Sequence, residues 1–500
     1  MYRSQYLASS NPVTCPPEFQ TTQFAGLHVY THQSLSVVSA ECGDVRLLLL
    51  GTVVDPLKPE NDNQAIVRDL ADECDTSGAL YREAQKLSGR FVLLLNSNDE
   101  FVAVHDACAL RQVYYSFVDG KIVLTSSLRM FLELHDEQIS IEEGAKEFTE
   151  SPEYVSREHA WYGDRCLDAR FRQLLPNFSL DLLRRKAIRL PVAREILNEV
   201  DTVAYAARVL EGTIEALVRR GPVIQALTAG WDSRILLAAA KRFRHDISFF
   251  VFDMEDGSQA DVEVPRKLAA NLGFDLKVIR PLQLQEEFLD VYRAEHVDPR
   301  VLPKTRHVQH HFLEKSHRDA TNVNGNCAEI ARCFYGRPGI GSRPIVFQHF
   351  SGYSSENKFA LQSINEWLDG AQSYAAENQI EVLDLFYWEQ RMGRWGALAP
   401  AELDIAIDEI SPFNNRNLLL SIMQQPARQR VAPSYTFFRN LVNEMWPEVL
   451  TEPINPCGPL GRLKNLMRHS SLSKYYCSRL QEMVSGRKSA YAMEDSRTER

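Results

Sequence analysis

The stretch ALTAGWDSRILLAAAKR, residues 226–242, crowds a hydroxyl, a glycine, a carboxylate and a guanidinium into the place where an apolar run gives way to a helical pattern. The first N–H groups of a helix lack internal partners and carry partial positive charge, so phosphates settle there. Leu227, Thr228, Ala229 and Gly230 form the turn, and Gly230 lets a ligand approach the backbone closely. The hydroxyls of Thr228 and Ser233 are donors to phosphate oxygens. Asp232 would repel a bare phosphate, which points to a bridging Mg²⁺, a hard ion that takes carboxylate and phosphate oxygens together. Arg234 in a first turn opposes the helix dipole unless an anion lies beside it. The plainer alternative is a capped helix with Asp232 complementing the dipole. The G-x-x-x-x-G-K-[ST] phosphate loop does not occur in the chain.

Positioning such a turn takes a strand before it and a helix after it, and the surrounding sequence supplies both. From Val203 the pattern alternates: a helix in AYAARVLEGTIEALVRR, a strand in PVIQALTAG, a helix in WDSRILLAAAKRF, a strand in DISFFVFDM, a helix in ADVEVPRKLAANLGF and a strand in DLKVIRPL. Such alternation predicts a parallel sheet with crossover helices and a ligand at the carboxyl ends of its strands. Residues beyond, to about 480, read as mainly helical. Residues 24–134 instead show short alternating strands around one helical segment, an α+β layered arrangement. Residues 140–195 read as a connector ending in strand-like pieces near LLPNFSLDLL.

The 500 residues suffice for two or three domains, and 44% hydrophobic with 24% charged content describes a soluble globular chain. A formal net charge of -10 argues against nonspecific nucleic-acid binding, so no nucleic-acid partner is expected. The 9 cysteines include no CxxC pair, which favours a reducing cytoplasm over a disulfide framework. The longest apolar runs are about half of what spans a bilayer, and no signal peptide is evident, so neither a membrane partner nor export is expected.

Two further clusters carry chemistry-bearing residues. His307, His310 and His311 have helical metal-ligand spacing, but lacking a paired acid or thiol motif they read as polar helix histidines. In LDLFYWEQRMGRWG, Leu385, Trp388, Met392 and Trp395 form an apolar stripe. Glu389 and Arg391 lie off it, and Glu389 is a candidate general base.

In order, these landmarks resemble the asparagine synthetase family. Residues 228–233 are similar to its S-G-G-x-D-S pyrophosphate loop, with Thr for Ser and Ala for the first Gly. VNGNCAEIARCFYG (323–336) resembles its G-D-G-A-D-E motif, keeping Gly325 and placing Glu329 at the metal-ligand carboxylate. SFFVF (248–252) resembles its adenine-pocket strand, with Val251 at the contact position. Asp261 stands where the family has an acid, and EISPFNNRNLLLSI (409–422) is similar to its E-x-R-x-P-F-L-D helix entry. LSGRFVLLL, HDACALRQVYY, LTSSL and QLLPNFSLDL resemble landmarks of its glutaminase domain and linker.

The resemblance implies an Ntn-hydrolase-like layered sandwich over residues 1–195, an ATP-binding PP-loop synthetase domain over 196–480, and a flexible tail over 481–500. It implies ATP bound by Leu227, Thr228, Ala229, Gly230, Asp232, Ser233, Arg234, Val251 and Gly325, and Mg²⁺ held by Asp232 and Glu329. The family's catalytic lysine falls near Ile454 or Asn455, with Lys464 or Arg462 as substitutes. The glutaminase nucleophile is replaced by Tyr2, with Cys15 too far along to serve. The implied activity is an AMP-forming amide-bond ligase that adenylates a small-molecule or peptide carboxylate and couples it to an amine from a source other than glutamine. Within the family, β-lactam synthetases and lasso-peptide cyclases are the nearest analogies. A non-catalytic nucleotide-binding homologue, an ammonia-dependent asparagine synthetase and a PP-loop tRNA-modifying enzyme stay open as alternatives.

Overall fold

Leucines at 47, 48, 49 and 50 sit in the ten-residue strand Val45–Val54, where side chains alternate between the two faces. Leu48 and Leu50 face one core, while Leu47 and Leu49 face another. That division builds the N-terminal half in layers. The computed structural model describes residues 1–192, 198–255, 259–335, 351–354 and 356–456.

Two six-stranded sheets, antiparallel throughout, pack face to face. The first runs in the order Arg172–Gln173, Tyr114–Ser116, Val123–Thr125, Tyr6–Ser9, Leu27–His32 and Phe19–Phe24. The second runs Lys186–Arg189, Phe178–Asp181, Phe101–His105, Ser88–Asn96, Val45–Val54 and Val37–Cys42. Helix Asn63–Glu73, capped by the Asp62 carboxylate on the Ala65 N–H, covers the outer face of the second sheet through Ile66, Val67 and Leu70. Helix Leu128–Leu134 covers the outer face of the first. The layered α+β expectation is met. The strands extend beyond it at both ends: Tyr6–Ser9 precedes residue 24, Phe19–Phe24 begins before it, and the supposed connector contributes edge strands to both sheets.

The C-terminal half holds a five-stranded parallel sheet in the order Leu276–Ile279, Ile247–Phe252, Val223–Ala226, Thr321–Val323, Asp408–Ile410. Helix Glu199–Arg220 leads into it, with Asn198 as cap, acids in its first turn, arginines in its last and Gly221 ending it. The strands Thr321–Val323 and Asp408–Ile410 lie in sequence that reads as helical. Three residues are too few for a period to show, and their strand state comes from pairing with the sheet. The sheet grows from Val223–Ala226 first toward Ile247–Phe252 and then, on the other side, toward Thr321–Val323. The order therefore reverses between Val223–Ala226 and Thr321–Val323, and in open parallel sheets such a reversal marks the crevice where ligands bind.

Buried ionic and polar contacts join the halves. Asp404 takes two hydrogen bonds from Arg90, at 2.5 and 2.7 Å, one from Arg111 at 3.1 Å and one from Gln5 at 3.0 Å. Asn414 donates to the Gly89 carbonyl at 2.7 Å and to Asp106 at 2.8 Å, and its own oxygen accepts from the Cys108 N–H at 2.9 Å. Among the described residues no helix is long and apolar enough to cross a membrane.

Candidate phosphate site and its acids

The loops that follow the two central strands meet in the crevice. A Cβ added at Gly325 would lie 2.4 Å from the Asp232 Cβ and 2.9 Å from its carbonyl carbon, so only glycine lets these loops touch. Leu227, fully buried, ties the first loop to the sheet through its N–H on the Phe250 carbonyl at 2.8 Å. The Ser233 hydroxyl accepts from the Thr228 N–H at 3.0 Å and lies 3.0 Å from the Thr228 hydroxyl. The Ala229 N–H donates to Asp261 at 3.2 Å, and the Ala229 carbonyl accepts from the Asn455 N–H at 2.9 Å. Helix Trp231–Ala239 starts at Gly230 with no side chain capping it, which leaves its end open to an anion.

Asp232 and Glu329 converge on one guanidinium. Arg332 reaches Asp232 Oδ2 at 2.9 Å and Glu329 Oε1 at 3.0 Å. The Tyr387 hydroxyl donates to the other Glu329 oxygen, and Arg332 lies 5.9 Å from the Tyr435 ring. Asp232 Oδ1 is buried with no hydrogen-bond partner. Burial pushes the Asp232 carboxyl up to about 6, with the Glu329 charge adding to the rise and Arg332 opposing it. A carboxylate oxygen without a donor, beside a second carboxylate, suits a divalent cation whose remaining ligands would be water and phosphate oxygens. No cluster of three or more potential metal ligands occurs among the described residues, so an all-protein cage is not what this site offers.

Other sequence candidates fall elsewhere. Arg234 does not face an anion at the turn. It is fully buried, and its terminal nitrogens donate to the carbonyls of Val449 at 2.7 Å, Glu452 at 3.0 Å and Pro453 at 3.2 Å. A long buried side chain finds carbonyls to satisfy it, and here it ties residues 449–453 to the helix. Glu389 is fully buried, with Arg189 and Asn177 on one oxygen and Trp367 Nε1 on the other at 2.8 Å. Both oxygens being engaged, it lacks the open reach of a general base. Its neighbour Tyr387 is the group on that helix that reaches Glu329. Val251 is buried in its strand. Lys464 and Arg462 lie outside the described residues.

The histidines are not a polar face either. His311 is 2% exposed, the His307 ring lies flat on Phe252 at 3.9 Å, and His311 Nδ1 is 2.9 Å from His317 Nδ1. At the other end of the chain, burial pushes the Cys15 thiol up to about 11, opposite to the activation a nucleophile needs.

Sequence reasoning missed Arg332 and Tyr387. Arg332 had a usable signal, lying three residues after Glu329, within helical reach of it.

No family model and no curated protein matches the chain. Among solved structures it is similar to the glutamine-dependent NAD+ synthetase from Acinetobacter baumannii, with 13% identity, 30% of this chain and 28% of that one covered, and a TM-score of 0.19. It is also similar to the U34-tRNA thiolase NcsA from Methanococcus maripaludis, with 12% identity, 57% and 79% covered, and a TM-score of 0.24. A third likeness is to the glutamine phosphoribosylpyrophosphate amidotransferase from B. subtilis, with 9% identity, 61% and 63% covered, and a TM-score of 0.23. The alignment thus spans under a third of the Acinetobacter enzyme's length. Likenesses this faint leave the reading to the site itself.

Proposed function

We propose that the chain is an ATP-dependent, AMP-forming amide-bond ligase of the asparagine synthetase type. The observation that carries this reading is the meeting of Asp232 and Glu329 beside an uncapped helix N-terminus, at the point where the parallel sheet reverses its order. The terminal phosphates of ATP rest on the N–H groups after Gly230, with Thr228 and Ser233 alongside. Asp232 and Glu329 would hold Mg²⁺, which when bound neutralises charge on the leaving pyrophosphate. Arg332 pairs with the two acids until the cation takes its place. A substrate carboxylate attacks the α-phosphorus and expels pyrophosphate. An amine then displaces AMP to leave the amide. With Tyr2 where the family has its glutaminase cysteine, the amine comes from a substrate, and the layered half serves structure or substrate binding.

The test is incubation with ATP, magnesium and a panel of carboxylates in the presence of hydroxylamine. AMP, pyrophosphate and a hydroxamate are expected from the native chain, and none from Asp232→Ala with its fold intact. Turnover retained in Asp232→Ala would overturn the assignment. A second reading, a nucleotide-binding scaffold without catalysis, draws on Arg332 already neutralising both acids. Tight ATP binding with no AMP release in any arm would favour it.

A further inference from the structure

A cleft of about 120 Å³ lies between the first antiparallel sheet and residues 295–300 and 394–405 of the other half. Its walls carry three arginines and three acids, and their partners tell which are already spent. Arg300 and Glu402 cancel each other through two hydrogen bonds, at 2.5 and 2.8 Å. Asp298 accepts from the Tyr154 hydroxyl, which is itself held by Trp161 Nε1 at 2.8 Å, and faces His159 Nδ1 at 2.9 Å.

Arg394 is different. It is 3% exposed, its terminal nitrogens donate only to the neutral oxygens of Gln173 and the Arg165 backbone, and its Nε has no acceptor. Among the described residues no carboxylate pairs with it. A buried guanidinium without a counter-ion is costly unless something anionic arrives. Arg129 stands exposed on the cleft wall, likewise without an ion pair among the described residues. Against these two cations stands Glu295, 9% exposed, with the Tyr2 backbone N–H, the N-terminal ammonium and His296 on its positive side but no ion pair among the described residues. The walls therefore offer spare charge of both signs.

We propose that this cleft is a second binding site, for an α-amino acid, whose carboxylate meets Arg394 and Arg129 and whose ammonium group meets Glu295. A phosphate would bring a larger negative charge against Glu295, Asp298 and Glu402, whereas a zwitterion answers both unspent signs. His159, whose Nδ1 lies 2.9 Å from Asp298, stands on the same wall. The cleft stands apart from the nucleotide site, which shares none of these residues.

Isothermal titration of the full chain with the proteinogenic L-amino acids tests it. Each is run beside its carboxamide and its N-acetyl form, with inorganic phosphate as a further arm. At least one free amino acid binds, and blocking either end weakens it by about tenfold or more. Arg129→Gln and Glu295→Gln weaken it by a similar factor with unchanged melting temperature, and Asp232→Asn still binds. Absence of binding at millimolar concentration, equal binding of the blocked forms, indifference to both variants, or phosphate binding in place of the amino acid would overturn it. Loss of binding in Asp232→Asn would assign the amino acid to the phosphate crevice and overturn it equally.

Discussion

Asp232 gives one oxygen to Arg332 and keeps the other buried without a donor. Arg332 therefore competes with any divalent cation for the same two carboxylates. Arg332→Gln removes that competitor, so a lower half-saturating magnesium concentration for ATP binding is expected, by about tenfold, measured by fluorescence titration with a labelled nucleotide. At this scale the sequence was legible wherever residue type alone limits the chemistry. Asp232, marked out by its type at the turn, and Glu329 and Gly325, marked out by the family resemblance, are neighbours at the strand ends. Arg234 and Glu389 misled because a guanidinium or carboxylate in sequence does not disclose whether it faces a ligand or a buried partner. Only the third dimension supplies Val449 for the one and Arg189 for the other.

Between elements, the closest approach is that of the loops after the two central strands. Gly325→Ala drives a methyl group into the Asp232 backbone at 2.9 Å, a contact that no side-chain rotation relieves. The expected cost is about 1–3 kcal/mol of stability from overpacking, with a larger proportional loss of ATP-dependent AMP formation because the acids are pushed apart. Chemical denaturation and a pyrophosphate-release assay separate the two. The helix carrying the histidines gives a second expectation at this scale. Burial lowers His307 to about 4 and His311 to about 3, helped by the neighbouring Lys304, Arg306 and histidine rings, and lowers His310 and His317 as well, with Glu314 opposing beside these two. A neutral buried histidine is fully stabilising above its unfolded value, and stability is lost as pH falls from there toward the folded value. Below about pH 6.5 each strongly shifted ring should cost about 1.4 kcal/mol per pH unit. His311→Gln should flatten the fall, as urea midpoints at neutral and mildly acid pH would show. Helices and strands with full periods were legible from sequence, including the alternation that begins at Val203 and ends with the strand Leu276–Ile279. Thr321–Val323 and Asp408–Ile410 were not, since their state is set by long-range pairing.

For the molecule as a whole, Asp404 is the busiest junction. It neutralises Arg90 and Arg111 while itself 1% exposed, and Asp404→Asn leaves two guanidiniums facing an amide. A loss of about 3–5 kcal/mol is expected, the range for removing one partner of a buried ion pair, read from thermal or urea unfolding. Neither arginine announced this role in the sequence, because its partner lies some three hundred residues away.

The same arrangement governs what happens if the polypeptide is severed near residue 195. Arg90, Arg111 and Asp106 go with one fragment, Asp404 and Asn414 with the other, and each inherits ionic sockets with nothing to plug them. Fragments produced apart should precipitate, and fragments translated together should copurify as a nicked whole.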